Sequence, residues 1–407
     1  MEGQLRRLWM QDPGDFTDEA IAGLRAATAS GVEPAVLGYH PIARLNPFHT
    51  LLYQRAPDEG VVAVPIVREE TIGELVELAR LGFPTVLHLH WLNRVLGDAR
   101  TAVEAGRNAS SFLRRLDQLR EAGGRVAWTV HNIVPHGAAL EDEEARLSQA
   151  IVDRCDVVHV MAAATPRIVS PWFRIPPEKV LAIPHPSYVG AYEDVIGRAR
   201  ARHELGVMPG ELVHAVVGAI RPYKGLSELL DAWEALPDDG VARRLVIAGG
   251  PTVEKGVDEI LARAAVHPTV LLHAGQIEPA DIQVYLRAAD VAVLPYVRTL
   301  NSGALLLALT FGTPAIVPAD SGLAEVVDPS FALTFSQDDP ADLVRVLGRA
   351  AELATPAAAA AARAAAERLA PGPLSERFIR GLRQRLGLDV REAIAAGPAP
   401  AGALAAQ

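Results

Sequence analysis

The sequence predicts an α/β fold built from two open parallel β-sheets. Short apolar runs alternate with helix-like stretches throughout the second half of the chain, and the first half repeats this pattern less regularly. The apolar runs are continuous rather than alternating, as strands need to be when helices cover both faces of a sheet. Of the 407 residues 50% are hydrophobic and 22% are charged, so the chain can bury two sizeable cores.

Eleven strands and a long helix are predicted along the chain. The strands are 61–66, 85–90, 126–131, 157–161 and 180–183 in the first half, and 212–217, 245–248, 270–273, 291–294, 315–317 and 331–334 in the second half. The longest helix is predicted over 99–121. An arginine-rich stretch at 197–210 separates the halves and marks the change from one sheet to the next.

The C-terminal part predicts further helices and an unstructured tail. Asp339 can cap a helix that has Pro340 in its first position, and residues 374–386 have apolar side chains at helical spacing. The last residues are mostly small residues and prolines, which cannot bury enough surface to offset the entropy of ordering. The predicted units are an N-terminal domain 1–195, a C-terminal domain 196–370, a final helix 371–390 and a disordered tail 391–407.

Charge and hydropathy exclude several classes of partner. The 39 basic and 49 acidic side chains give a formal net charge of −10, which repels nucleic acid. No apolar run reaches the roughly 20 residues of a membrane-spanning helix. The N-terminus turns acidic where a secretion signal would be apolar, and Cys155 has no second cysteine to pair with, so we expect a cytoplasmic location.

An excess of arginines between Arg94 and Arg125 forms a weak basic patch on the predicted long helix. A solvated helix face explains this patch better than adsorption to anionic lipid, which takes a denser cluster of charges. A weak peripheral contact with the inner face of the membrane stays open as the alternative.

Two loops of the second half follow strands of the same predicted sheet, where ligands bind in open parallel sheets. In the first, Gly218 allows close approach of a ligand, and Arg221 and Lys224 place two cations at a strand-to-helix turn. In the second, Ser302 can cap a helix whose free N–H groups face the cleft. A solvated basic turn and an ordinary capped helix are the simpler alternatives, but together the loops can hold two phosphates.

Predicted strands of the first half end in histidines, as in His88-Leu-His90-Trp91 and at His131, and His185 follows a third strand. Their positions indicate one wall of a polar cleft. A zinc site is the rival interpretation, and it is disfavoured because neither HExxH nor paired cysteines accompany the histidines. The chain also lacks GxxxxGK[ST], GxGxxG followed by an acid, and GxSxG, which disfavours P-loop, nicotinamide and hydrolase chemistry.

These motifs together resemble the GT-B glycosyltransferases, over about residues 35–388. The segments GAIRPYKG, VIAGGP, ADVAVLPY and a polar turn leading to a helix that ends in GTP occur in the family's order. NPFHTLLYQ, HLHW, TVHNIVPH and IPHPSY are similar to segments of bacterial transferases that build polysaccharides. The resemblance implies two Rossmann-like domains facing a central cleft, and transfer of a hexosyl unit from a nucleotide diphosphate sugar to a glycan or lipid-linked glycan.

The same resemblance implies roles for individual residues. His131 would be the catalytic residue near the donor sugar, and His90 and Trp91 would lie on the acceptor side. No metal or other cofactor is expected, because cations and a helix N-terminus can stabilise charge on the leaving diphosphate. The donor-binding residues that it implies are Gly218, Arg221, Lys224, Gln276, Ile277, Asn301, Ser302 and Gly303.

One departure from the family pattern leaves the stereochemistry open. Many retaining members carry two glutamates eight positions apart where this chain has Thr299 and Leu307, so ribose recognition must differ. Inversion would need a general base such as His131, His90 or an unidentified carboxylate, whereas retention would not. A nucleotide-sugar epimerase of the same fold and a non-catalytic nucleotide-sugar-binding protein are the alternative functions.

Overall fold

The computed structural model describes residues 14–29, 34–43, 46–133, 140–297 and 299–388. Their strands form two sheets of six parallel strands each. The first sheet contains β1 (Ala35–His40), β2 (Val61–Pro65), β3 (Thr85–Leu89), β4 (Arg125–Thr129), β5 (Val157–Val160) and β6 (Val180–Ala182). The second contains β7 (Leu212–Val217), β8 (Arg243–Ala248), β9 (Val270–His273), β10 (Val291–Val293), β11 (Ala315–Pro318) and β12 (Ala332–Phe335). The expected tail 391–407 lies outside the described residues, as does His136 of the TVHNIVPH segment.

Helices connect the strands and cover both sheets. Those of the first half are α1 (Phe16–Ala29), α2 (Phe48–Tyr53), α3 (Ile72–Arg80), α4 (Ala102–Glu121), α5 (Glu141–Arg154) and α6 (Thr165–Val169). Those of the second half are α7 (Arg198–Glu204), α8 (Leu226–Glu234), α9 (Val257–Val266), α10 (Ile282–Ala288), α11 (Gly303–Thr310), α12 (Pro340–Gly348), α13 (Pro356–Arg368) and α14 (Pro371–Leu386). No helix of the described residues is long and apolar enough to cross a membrane.

The strand orders place a crevice at one point of each sheet. The first sheet runs β2-β1-β3-β4-β5-β6 and the second runs β12-β11-β10-β7-β8-β9. The chain winds in opposite directions from β1 and β3, and again from β7 and β10, so the loops after these strands diverge. Ligands of open parallel sheets bind in such crevices, beyond the carboxyl ends of the strands.

The eleven predicted strands are confirmed with end shifts of at most two residues, but β1 was not predicted. Its sequence AVLGYH contains a glycine, which is unfavourable in a strand interior. Packing explains the glycine, because a Cβ on Gly38 would lie 2.5 Å from Cδ1 of Ile66. The strand is nevertheless central, since it pairs with both β2 and β3.

The end of the described chain returns to the first sheet. Asp339 caps α12 as predicted, accepting a hydrogen bond from the Ala341 N–H at 3.0 Å. Helix α14 begins at Pro371, and its Phe378 packs into a core of the first sheet. Ser375 Oγ donates to the Leu52 carbonyl at 2.7 Å, which fastens α14 to α2. The limits proposed above for the domains stay predictions.

Candidate active site

A cleft of about 1060 Å³ lies between the carboxyl ends of the two sheets. Loops that follow β3, β4 and β6 line one side, together with the start of α2. Loops that follow β7, β8, β9 and β10 line the other side. The two crevices that the strand orders create therefore open onto one shared cavity.

Lys224 supplies a buried positive charge on the second-sheet side of the cleft. It is one of three lysines in the sequence and is only 7% exposed. Within the described residues its Nζ makes no salt bridge, and its nearest aromatic contact is the Tyr296 ring at 5.9 Å. Burial, and then the neighbouring Arg221, lower the pKa of Lys224 to about 8. An unpaired, partly desolvated cation of this kind attracts an anion strongly.

Backbone geometry keeps the space in front of Lys224 open. Gly218 has a φ of 126°, which side-chain-bearing residues rarely adopt, and a Cβ there would lie 3.1 Å from the lysine Nζ. The glycine therefore leaves the ammonium accessible to a ligand that approaches the backbone.

The N-terminus of α11 faces the same part of the cleft. Ser302 caps the helix as predicted, its Oγ accepting from the Leu305 N–H at 3.1 Å, and it also donates to the Tyr296 hydroxyl at 3.4 Å. One tyrosine thus contacts both the lysine and the helix cap. Gly303 begins the helix, and a Cβ there would lie 2.5 Å from the Tyr188 hydroxyl, so a larger residue would not fit.

Histidine and aromatic rings form the first-sheet side. His131 is 9% exposed, stacks on Trp91 with ring centres 4.1 Å apart, and is hydrogen-bonded through Nε2 to Nδ1 of His90 at 3.0 Å. Burial, with a contribution from neighbouring histidines, holds the pKa of His131 well below its usual value, so the imidazole is neutral. Asn301 Nδ2 donates to the His131 carbonyl at 3.3 Å and joins the two sides of the cleft.

The structure brings most of the predicted site residues to this cleft. Those that line it are Trp91, His131, Gly218, Lys224, Gln276, Ile277, Asn301, Ser302 and Gly303. Thr299 and Leu307, which stand where relatives carry glutamates, line it too.

Two of the predicted site residues lie elsewhere. Arg221 is not among the lining residues and lies 3.6 Å from a carboxylate oxygen of Glu254. His90 is 1% exposed and lies behind His131, which corrects the expectation that it faces an acceptor. A position beside a motif residue in sequence does not decide which side chain reaches the cavity.

Several lining residues were not predicted as site residues. The His185 ring donates from Nδ1 to the Pro186 carbonyl at 2.7 Å, and burial lowers its pKa to about 4. Tyr188 donates to Oδ1 of Asn46 at 3.4 Å. The segments NPFHTLLYQ and IPHPSY contain these three residues, so the resemblance pointed to the right segments without identifying the side chains. Glu141 at the start of α5 adds a carboxylate to the lining.

The described residues contain no group of three or more histidine, cysteine, aspartate or glutamate side chains arranged to hold a metal ion. The clustered histidines instead bond to one another and to hydroxyl and carbonyl groups.

Comparison with known proteins agrees with this geometry. Residues 198–368 match the family Glycosyl transferases group 1. A GDP-mannose:glycolipid 4-beta-D-mannosyltransferase of Xanthomonas campestris pv. campestris is 28% identical over 326 residues, covering 79% of this chain and 84% of that protein. A D-inositol 3-phosphate glycosyltransferase of Nocardia farcinica is 33% identical over 159 residues, covering 37% of this chain and 35% of that protein.

Solved structures share the two-sheet architecture. Sucrose-phosphate synthase from Thermosynechococcus elongatus has a TM-score of 0.61 and 19% identity, covering 92% of this chain and 94% of its own. Anabaena HepE in complex with UDP has a TM-score of 0.63 and 14% identity, covering 86% and 100%. The chain is a nucleotide-sugar-dependent glycosyltransferase of the GT-B fold, and residues 198–368 carry its match to the group 1 family.

Proposed function

We propose that the enzyme transfers a mannosyl unit from GDP-mannose to a glycolipid acceptor. The activity of the Xanthomonas relative suggests both substrates, and its alignment covers enough of the chain to include both sides of the cleft. The observation that carries the proposal is Lys224, a buried cation whose ammonium faces the same cavity as the N-terminus of α11.

In this proposal the diphosphate of the donor binds between these two groups, which line the same cleft. When the sugar–oxygen bond breaks, negative charge develops on the β-phosphate, and preorganised donors at that point lower the barrier. Lys224 supplies a full charge, and the free N–H groups of α11 add the positive end of a helix dipole. These groups can stabilise the leaving nucleotide without a metal ion, and Arg221 adds a more distant positive charge.

The remaining lining residues divide between donor and acceptor. Gln276 and Ile277 lie at the cleft after β9, where we place the nucleobase. His131 and Trp91 lie on the opposite side, where the sugar and the acceptor hydroxyl would meet.

A glycolipid acceptor would bring the enzyme to a membrane surface. Helix α4 carries part of the arginine excess found between Arg94 and Arg125. We include in the proposal a weak, peripheral contact of this helix with anionic lipid at the inner face of the membrane.

Calorimetric titration with UDP, GDP, dTDP and ADP tests the donor site. We expect GDP to bind and Lys224→Ala to weaken its binding by about 1.5–3 kcal/mol, the contribution of a hydrogen bond to a charged group. Lys255→Ala is the matched control, because that lysine is exposed in the loop after β8 and does not line the cleft. Binding of none of the four nucleotides, or equal effects of the two variants, would contradict the assignment.

Transfer assays with GDP-mannose then distinguish a transferase from an epimerase and from a binding protein. Mannosylated glycolipid is the expected product. Isomerisation of the donor without acceptor would instead indicate an epimerase, and donor binding with neither transfer nor hydrolysis would indicate a binding protein.

A further inference from the structure

An unbroken chain of hydrogen bonds runs from His131 into the interior of the first sheet. We name it the histidine relay, and its members come from α2, β3, β4 and β5 and the loops after β3 and β4. The members in order from the cleft are His131, His90, Tyr53, His88, Thr129 and His159, and the chain ends on the Ile183 carbonyl.

The contacts of the relay are all short. The Tyr53 hydroxyl lies 2.8 Å from Nε2 of His90 and 2.6 Å from Nδ1 of His88. The Thr129 hydroxyl lies 2.7 Å from Nε2 of His88 and 2.9 Å from Nδ1 of His159. Nε2 of His159 lies 2.9 Å from the Ile183 carbonyl oxygen.

The Ile183 carbonyl at the inner end sets the donor and the acceptor of every hydrogen bond in the relay. A carbonyl can only accept, so His159 carries its hydrogen on Nε2. Burial lowers the pKa of His159 to about 4, so its ring is neutral and Nδ1 must accept from the Thr129 hydroxyl. Threonine then accepts from Nε2–H of His88. The opposite direction would require a doubly protonated His159 in the core.

The same logic continues outward to the cleft. The rings of His88 and His90 are also neutral, because burial lowers the pKa of each well below its usual value. Nδ1 of His88 therefore accepts from the Tyr53 hydroxyl, which accepts from Nε2–H of His90. Nδ1 of His90 accepts from Nε2–H of His131. Nδ1 of His131 therefore carries a lone pair and no hydrogen, and it ends the relay on a ring that lines the cleft.

We propose that the histidine relay is a positioning device that holds His131 as the Nε2–H tautomer, with Nδ1 as the general base that makes the transfer inverting. The proposal rests on the proposed function, because it assumes that an acceptor hydroxyl enters on the His131 side. Tyr53, His88, Thr129 and His159 are positioning residues, since each acts through His90 and His131.

The chemical step balances without another reagent. The acceptor oxygen attacks the anomeric carbon from the face opposite the nucleotide, while its proton moves to Nδ1 of His131. The bond between the anomeric carbon and the diphosphate oxygen breaks, and its electron pair leaves on the β-phosphate beside Lys224. The imidazolium keeps its Nε2–H bond to His90, so the relay stabilises the charge as it forms.

Packing shields the relay from water. Phe378 of α14 stacks on His88 with ring centres 5.4 Å apart and lies 4.9 Å from His159. Trp91 covers one face of His131 at the cleft end. Helix α14 follows the second half of the chain, so the segment that closes the relay comes from the other end of the sequence.

Nitrogen-15 NMR of the histidine side chains in the ligand-free protein tests the tautomers directly. We expect Nε2–H for His88, His90, His131 and His159, and the opposite Nδ1–H for His185, whose Nδ1 donates to a carbonyl. A His131 ring with its hydrogen on Nδ1 would overturn the proposal. This measurement needs no substrate, so it decides the relay even if the proposed donor or acceptor is wrong.

Kinetics of relay variants tests its effect on transfer. Tyr53→Phe removes the hydroxyl between His90 and His88, and we expect kcat to fall about 10- to 100-fold, part of the roughly 10²–10⁴-fold that a general base supplies. The KM for donor and the affinity for GDP should stay unchanged. Thr129→Val should lower kcat in the same direction, and Thr129→Ser, which keeps the oxygen, should restore it.

His214→Gln is the matched control for the loss of stability that follows from replacing a buried polar side chain. His214 is a fully buried histidine of the second sheet, bonded to the Leu347 carbonyl at 3.4 Å, and lies outside the relay. We expect this variant to lose stability and keep its kcat. Wild-type kcat in Tyr53→Phe or in Thr129→Val would overturn the proposal, as would a product that retains the anomeric configuration of the donor. Should Tyr53→Phe fail to fold, the Thr129 pair decides.

Discussion

The two sides of the cleft are built in different ways. The second-sheet side uses backbone groups and one lysine, carried by continuous loops after β7 and β10. The first-sheet side uses side-chain rings that come from α2 and from several strands and meet only in the fold. The difference is one of construction: the buried lysine and the helix cap come from short continuous loops, whereas the buried rings are held by residues from distant parts of the chain.

The sheets differ in strand order as well. The second sheet has three strands on each side of the boundary between β10 and β7, which is the doubly wound order common to dinucleotide-binding sheets. In the first sheet only β2 lies beyond β1. Both arrangements create a crevice at the carboxyl ends. The position of the cleft therefore follows from the winding of each sheet, and its chemistry follows from the loops.

Among the substitutions proposed here, His131→Ala should have the largest effect on transfer. Loss of the general base is expected to lower kcat by about 10²–10⁴-fold while the affinity for GDP stays unchanged, because His131 lies across the cleft from Lys224. Steady-state transfer assays and calorimetry measure the two quantities. Equal losses in kcat and in GDP affinity would mean that nucleotide binding and catalysis are not assigned to opposite sides of the cleft.

The pH dependence of GDP binding tests the role of Lys224 on the second-sheet side. Burial depresses the pKa of Lys224 to about 8, so the ammonium predominates below that pH and the neutral amine above it. The affinity for GDP should therefore decrease as pH rises past 8, by up to about tenfold per pH unit. Calorimetry between about pH 7 and about pH 9.5 measures the slope. Lys224→Ala should remove it, and an unchanged slope in that variant would exclude Lys224 as its origin.

Arg221→Ala should have the smallest effect. Arg221 is paired with Glu254 and does not line the cleft, so we expect the affinity for GDP to change by less than about threefold. Calorimetry alongside Lys224→Ala provides the comparison. A loss as large as that of Lys224→Ala would show that Arg221 turns toward the diphosphate when nucleotide binds.

Most of the fold was predictable because buried parallel strands leave continuous apolar runs that can be recognised locally. Strand β1 was the exception, since Gly38 weakens its strand propensity and is explained only by contact with Ile66. The position of Lys224 and Ser302 at the cleft could be predicted, because each lies in a loop that directly follows a strand of the second sheet. His90 and Arg221 were misplaced, because burial and pairing depend on residues far away in sequence.

The two-sheet architecture, the capped helix at Ser302 and the cation at Lys224 could be predicted from the amino-acid sequence, since strand patterns, caps and glycine turns are local properties of the chain. The fold was needed to see that Tyr53, Thr129 and four histidines form one relay, and that Phe378 covers it. The physical reason is that a hydrogen bond needs its two atoms within about 3 Å, and residues so far apart in sequence reach that distance only after the sheet has formed.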